Sequence, residues 1–210
     1  LLYAQNSLIT SVASTILGLA LAFPAAYSMA FFKGKYTKDI LMWMLSTKMM
    51  PAVGALVPIY VLAQNSGLLD SRTALIIIFT LSNLPIMVWM LYSQFKEIPG
   101  EILEAARMDG ATLWQEFRHV LLPMAVPILM VVFVLAFIGT IIEYPIASVL
   151  LREEPNLTLA VGSKYYLYEQ RYLWGDFAAA AVLSGLPITL VFLAAQRWIV
   201  SGLTSGGVKG

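Results

Sequence analysis

Long apolar runs separated by short polar ones are the dominant pattern of the chain. Uninterrupted apolar stretches fall at 7–32, 40–63, 73–95, 124–142 and 177–196, and within them the only charged residue is Lys48. A hydrocarbon layer about 30 Å thick is crossed by roughly 20 helical residues, so each run predicts a membrane-spanning helix. With their flanking turns the spans are expected at about 7–32, 40–63, 73–95, 120–150 and 176–197 of a single membrane domain, 1–210. Asn6 and Ser7 are read as a cap at the start of the first. Pro24, Pro51, Pro58, Pro85, Pro127, Pro145 and Pro187 recur in or beside the runs. Each lacks an N–H and crowds the preceding turn, which predicts a packed, kinked bundle. Ala178 to Ala181, with Ser184 and Gly185, predicts close approach of another helix.

Composition agrees. Of 210 residues 60% are hydrophobic and 12% charged, half the charge of an ordinary soluble domain. The net charge of +1 provides no basic field for nucleic acid, and the lack of cysteine excludes disulfides, thiolate metal sites and cysteine nucleophiles. His119 is the one histidine, so no multi-histidine metal cluster is expected, and its place beside Arg118 reads as interfacial. The opening Leu1-Leu2-Tyr3, without methionine or a basic leader, is expected of an internal piece whose N-terminal span lies outside it.

Alternate polar segments share a side of the membrane. Segments 33–39, 96–119 and 197–210 carry Lys33, Lys35, Lys38, Lys96, Arg107, Arg118, Arg197 and Lys209, against Arg72, Arg152, Lys164 and Arg171 in the others. The positive-inside rule places the first group, and with it the C-terminus, in the cytoplasm.

Cytoplasmic segment 96–119 carries the most specific signal. After Pro99 come good helix formers with Ile102, Leu103 and Ala106 on one face, then Gly110 as a left-handed stop. Thr112 and Gln115 fit a capping box that opens a second helix, reaching the membrane at Leu122-Pro123. The result is a rigid helical corner with Glu101, Glu104, Asp109 and Glu116 expected to be exposed.

Glu104-Ala105-Ala106, then Asp109-Gly110-Ala111-Thr112 and Val120-x-Leu122-Pro123, resemble the EAA signature of membrane permeases of ATP-binding-cassette importers. The resemblance implies an all-α polytopic bundle of the type I importer fold. It also implies a loop that docks on an ATPase through Glu101, Glu104, Ala105, Ala106, Asp109, Gly110, Ala111, Thr112 and Phe117. The stretch from about Met42 to Pro123 resembles polyol and monosaccharide permeases. From about Val126 onward, EYPIASVLLRE, TLAVGSKYYL, YLWGDFAAAAV and GLTSGGVKG resemble the second membrane subunit of the maltose/maltodextrin importer. A carbohydrate importer is implied, of maltodextrin type, with a polyol or monosaccharide importer as the alternative.

No P-loop is present, because Gly34-Lys35 is followed by Tyr36 and lacks the earlier glycine. The chain therefore carries no cofactor of its own. By resemblance its partners are a second membrane permease, two ATPase subunits that use ATP and magnesium, and a periplasmic or extracellular sugar-binding protein, all at a bacterial inner membrane. No H-E-x-x-H, paired intramembrane aspartates or serine beside a histidine supports an enzyme, and no catalytic residue is assigned. An ion-coupled carrier is the other class, raised by Lys48 and the kinked helices.

Lys48 lies about 13 Å from the start of its run, too deep to face lipid. With Met49 and Pro51 it is a candidate for the translocation path or its gate. On unbroken helices Glu143 stands about 17 Å away in depth, so the two form no direct pair. Outer segment 152–176 holds Tyr165, Tyr166 and Tyr168, whose rings suit a sugar or receptor face and equally suit an aromatic belt. The glycine-rich tail 201–210 is disordered by composition, whereas the resemblance implies ATPase contact through Gly206, Gly207 and Lys209.

Overall fold

A helix satisfies its own backbone polar groups, as a lipid environment demands, and the described residues contain helices and no strands. The computed structural model describes the backbone of residues 1–32, 34–167 and 172–206, and the side chains of these apart from 52 and 199–206. Lys33, Tyr168, Arg171, Gly207 and Lys209 lie outside the described residues.

The elements are α1 (Leu2–Phe31), α2 (Thr37–Met49), α3 (Ala52–Asn65), α4 (Arg72–Phe95), α5 (Gly100–Met108), α6 (Leu113–Gln115), α7 (Leu122–Ile141), α8 (Pro145–Leu150), α9 (Leu159–Gly162) and α10 (Trp174–Gly206). A π-helical segment, Glu116–Leu121, joins α6 to α7, so that one helical rod runs over Leu113–Ile141. That rod, α1, α4 and Trp174–Trp198 of α10 are each long and apolar enough to cross a membrane.

The expected single span over 40–63 is broken. Helices α2 and α3 meet at 99°, with Met50 extended at ψ 129° and Pro51 heading α3. The pyrrolidine ring disfavours helical geometry in the residue before it, so the chain turns where a continuous helix would place Met50. Pro24, Pro58, Pro85, Pro127 and Pro187 lie inside helices, while Pro145 opens α8. The fourth helix also stops earlier than the expected 150, at Ile141, and residues 145–150 form the separate α8.

Helix α1 packs along α4 and α7. Its contact stripe is small and polar: Ser7, Thr10, Ser11, Ser14, Gly18, Ala22 and Ala26 are buried at helical spacing. A Cβ on Gly18 would lie 2.8 Å from Met87 Sδ, which is how close α4 comes. Asn6 and Ser7 do not cap α1, which already begins at Leu2. They are buried within it and tie down the far-end loop. Asn6 Nδ2 donates to the carbonyls of Pro155 (2.8 Å) and Leu157 (2.9 Å), its Oδ1 accepts from Arg72, and Ser7 Oγ accepts from the Leu159 N–H.

Two apolar cores result. One, around Phe23, Leu91, Phe95 and Leu121, sits near the C-terminal ends of α1 and α4. The other, around Leu75, Phe79, Ala147 and Leu150, sits at the opposite end. Helix α10 lies against α7 with most of its surface open. Of Ala178 to Ala181 only Ala180 is buried, so among the described residues the alanine stretch packs at that one position. The helix also continues through Gly206, into the tail that composition alone marks as disordered.

Candidate functional site

The corner at 99–121 is built as its residues dictate. Helix α5 ends at Met108, and Gly110 adopts φ +83°, a conformation that costs a side-chain-bearing L-residue. Its N–H bonds the Arg107 carbonyl and the Ala111 N–H bonds Ala106, both at 3.0 Å, closing the helix as a Schellman turn does. Thr112 Oγ1 accepts from the Gln115 N–H (3.3 Å), and Gln115 Oε1 accepts from the Thr112 N–H (2.8 Å). The capping box is therefore complete.

Glu116 departs from expectation. Rather than facing solvent it is fully buried, where Arg107 donates to it bidentately (Nε to Oε2 2.6 Å, Nη2 to Oε1 3.0 Å) and the Tyr27 hydroxyl donates at 2.7 Å. A carboxylate out of water is tolerated only when paired and hydrogen-bonded, and a guanidinium fork fits both its oxygens. The same hydrogen bonds push Arg107 further above its already high ordinary value. Glu116 thus fastens both arms of the corner to each other and, through Tyr27, to α1. Phe117 reinforces this by packing edge-on against Phe23 (4.8 Å) and Tyr27 (5.5 Å) and stacking with Trp114 (5.7 Å).

Outside this locked interior the corner is open. Glu101, Glu104, Ala105, Asp109, Gly110 and Thr112 are exposed, and Ala106, Ala111 and Phe117 are half-buried. Among the exposed acids stand Met108 (89% exposed), Trp114 (63%) and Leu113 (55%), while Leu103 anchors α5 inward. Large apolar groups mixed with carboxylates suit a protein surface better than lipid.

At the break between α2 and α3 a cavity of about 500 Å³ opens, lined by Lys48 and Glu143 together with Ser82, Asn83, Thr140 and Met50. Lys48 and Glu143 thus line one cavity, although on unbroken helices they stand about 17 Å apart in depth. Lys48 Nζ donates to the Ser82 carbonyl at 2.8 Å, three residues before Pro85 within α4. Glu143 caps α8, accepting from the N–H groups of Ile146 (2.8 Å) and Ala147 (3.0 Å). Met49 (84% exposed) and Pro51 border the break without lining the cavity.

The far end is held by Asp70, at φ 57°, which accepts from the N–H groups of Arg152 (2.7 Å) and Glu153 (3.1 Å) and from Asn156 Nδ2 (2.9 Å). Burial pushes its carboxyl up, but these bonds outweigh burial and hold it below the ordinary range. Tyr165 and Tyr166 border a cavity of about 430 Å³ with Tyr3, Arg152 and Glu154.

Sequence family adds to this geometry. Residues 15–205 match the family described as binding-protein-dependent transport system inner membrane component. The chain belongs to this family. Over 217 residues it is 50% identical to the maltose/maltodextrin transport system permease protein MalG of Photorhabdus laumondii, covering all of this chain and 73% of that protein. The identity to MalG of Escherichia coli K12 is the same, over the same shares of both chains. Among solved structures, a bacterial ABC transporter involved in import of the acidic polysaccharide alginate superposes with a TM-score of 0.78 at 25% identity, covering 94% of this chain and 74% of that one. The inward-facing methionine transporter MetNI superposes at 0.74 with 20% identity, over 95% and 94% of the two chains, and shares the fold. This member of the family is a multi-pass transporter component, not an enzyme.

Sequence reasoning missed Tyr27, Arg107, Asn6 and Asp70 as fastening residues. Two signals pointed to the first three, the polar residues in the first span and the opposite charges of Arg107 and Glu116 on the two arms of the corner, and none to Asp70.

Proposed function

We propose that the chain forms half of the pore of an ATP-driven importer of maltose or maltodextrin-like sugars. A second permease completes the pore, two ATPase subunits that use ATP and magnesium dock beneath, and a sugar-binding protein delivers substrate outside. The corner at 99–121 is the ATPase contact: Glu101, Glu104, Ala105, Ala106, Asp109, Gly110, Ala111, Thr112 and Phe117 form or support the docking face. It lies on the basic, cytoplasmic side of the inner membrane, as does the C-terminus, where Gly206, Gly207 and Lys209 reach toward the ATPases. Tyr165, Tyr166 and Tyr168 face the sugar-binding protein. Lys48, Met49 and Pro51 line or gate the path.

The observation that carries this reading is the corner itself. Its interior is fixed by a buried, fully bonded carboxylate while its outside presents exposed Met108 and Trp114 among acids. A push on such a surface travels as a rigid motion, through Tyr27 into α1 and through the continuous rod into α7. The sugar is supported by identity of about half the residues with maltose/maltodextrin permeases along the whole chain.

Reconstitution tests it. The chain is assembled with its sister permease, ATPase and sugar receptor in proteoliposomes and offered labelled maltose, maltotriose and a polyol. ATP-dependent uptake of the maltodextrins, abolished by omitting the receptor, is expected. Uptake of the polyol alone would move the substrate to the other branch, and uptake without ATP would make the chain an ion-coupled or passive carrier.

A further inference from the structure

Two routes lead from the corner into the bundle, and they differ in stiffness. Along the chain the route enters α7 through the π-helical segment Glu116–Leu121, where the Leu122 N–H reaches back five residues to the Phe117 carbonyl. Pro123 and Pro127 follow, and neither has an N–H to give to the helix. A wide turn followed by two missing donors is where a helical rod bends, because its axial hydrogen bonds are fewest there.

Across space the route runs from Glu116 to α1. The Tyr27 hydroxyl donates to Glu116 at 2.7 Å, both residues are buried, and Arg107 holds the same carboxylate from the other arm of the corner. Pro24 interrupts α1 three residues before Tyr27. Phe117 packs on Phe23 and Tyr27 alike, at 4.8 and 5.5 Å, and so bridges that interruption, while Phe95 of α4 closes on Phe23 at 5.3 Å. The connection across space is braced where the connection along the chain is loose.

We propose that α1 is the helix the corner drives, and that the Tyr27 hydroxyl is the positioning group that keeps each ATPase stroke in step with passage of a sugar. The proposal rests on the reading of the corner as the ATPase contact, and it adds the residue and the helix through which that contact acts. Removing the hydroxyl leaves the docking face intact, because Arg107 still bonds Glu116 through two donors and the phenyl ring still packs on Phe117. What is lost is the hydrogen bond from lever to α1. The corner then follows the ATPase by bending at Glu116–Leu121 while α1 lags, and ATP is hydrolysed without a sugar crossing.

The assembled importer is tested in proteoliposomes for ATP hydrolysed per maltose taken up, in wild type, Tyr27→Phe, Phe117→Leu and Thr80→Val. Thr80→Val is the control, since it also withdraws a buried hydroxyl from between two helices, α4 and α1, but away from the corner. Tyr27→Phe is expected to raise the ratio about fivefold, the factor carried by one hydrogen bond of ordinary net strength, with the hydrolysis rate itself within about twofold of wild type. Phe117→Leu, which withdraws the ring spanning Pro24, raises the ratio in the same direction, and Thr80→Val leaves it unchanged. A ratio unchanged in Tyr27→Phe overturns the proposal, because hydrolysis and uptake then still move together without the hydroxyl. An equal rise in Thr80→Val overturns it too, since any loosening of the bundle would then suffice. If Tyr27→Phe does not assemble, Phe117→Leu decides between the same outcomes. Absence of ATP-dependent maltose uptake by wild type defeats the importer reading, and the proposal falls with it.

Discussion

The corner at 99–121 and the break at 50–51 both put charge where the chain is otherwise apolar, and they resolve it in opposite ways. At the corner Glu116 finds every partner inside the chain: two guanidinium donors, one phenol and a stacked aromatic wall. At the break Lys48 and Glu143 each find backbone partners only, and face a common cavity with bonding capacity to spare. A fully satisfied charge makes a stiff part that transmits force, whereas a half-satisfied one makes a place where something else must bind or move. On the function proposed above, the contrast separates the lever from the path.

The strongest way to break that contrast is at the hinge of the lever. Gly110→Val forces a β-branched residue to φ +83° at a site with open space around it, so strain rather than clash is introduced. Uptake by the reconstituted importer is expected to fall more than tenfold while the protein still inserts, and Gly110→Asn, which tolerates that conformation, is expected to keep most of it. Next is Glu116→Ala, which leaves a guanidinium and a phenol without their acceptor. A loss of about 1–3 kcal/mol is expected in thermal or denaturant unfolding of the purified complex, with Tyr27→Phe costing about 1 kcal/mol. A neutral result for Glu116→Ala would erase the distinction between the two regions.

Smaller effects sharpen it. Pro51→Ala frees Met50 to become helical, so spin labels at Leu45→Cys and Val57→Cys are expected to move apart as α2 and α3 straighten, with uptake reduced several-fold. The smallest effect is at the far-end loop. The folded-state pKa of Asp70 lies below its unfolded value of about 3.9. Its contribution to stability is therefore fully present above about pH 4 and disappears as pH falls through the folded value. Asp70→Asn is expected to flatten the acid limb of a stability–pH curve below about pH 4, with little change in its slope at neutral pH.

Much of this was legible in the sequence because it follows from local chemistry. Four of the apolar runs, the Gly110 stop and the Thr112–Gln115 box each depend on residues within a turn or two of one another, and all are in place. What was not legible depends on distant partners. Glu116 reads as exposed until Tyr27, 89 residues earlier, comes against it. Asn6 reads as a cap until the loop near Leu157 folds over it. The run over 40–63 reads as one helix because periodicity counts apolar residues, while the break is set by backbone restriction at Met50-Pro51. Composition likewise marks 201–210 as disordered, although α10 continues to Gly206 as an extension of a long helix.

Cysteine cross-linking between the corner and the ATPase decides the matter most directly. The chain has no native cysteine, so Glu104→Cys, Asp109→Cys and Tyr165→Cys each introduce a unique thiol. In the assembled importer, paired with single cysteines on the ATPase surface, the two corner thiols are expected to cross-link and halt uptake until reductant is added, while Tyr165→Cys stays unlinked. An ATPase that never links to the corner, or that links instead to Tyr165→Cys at the opposite end, would contradict the assignment of this corner as the lever.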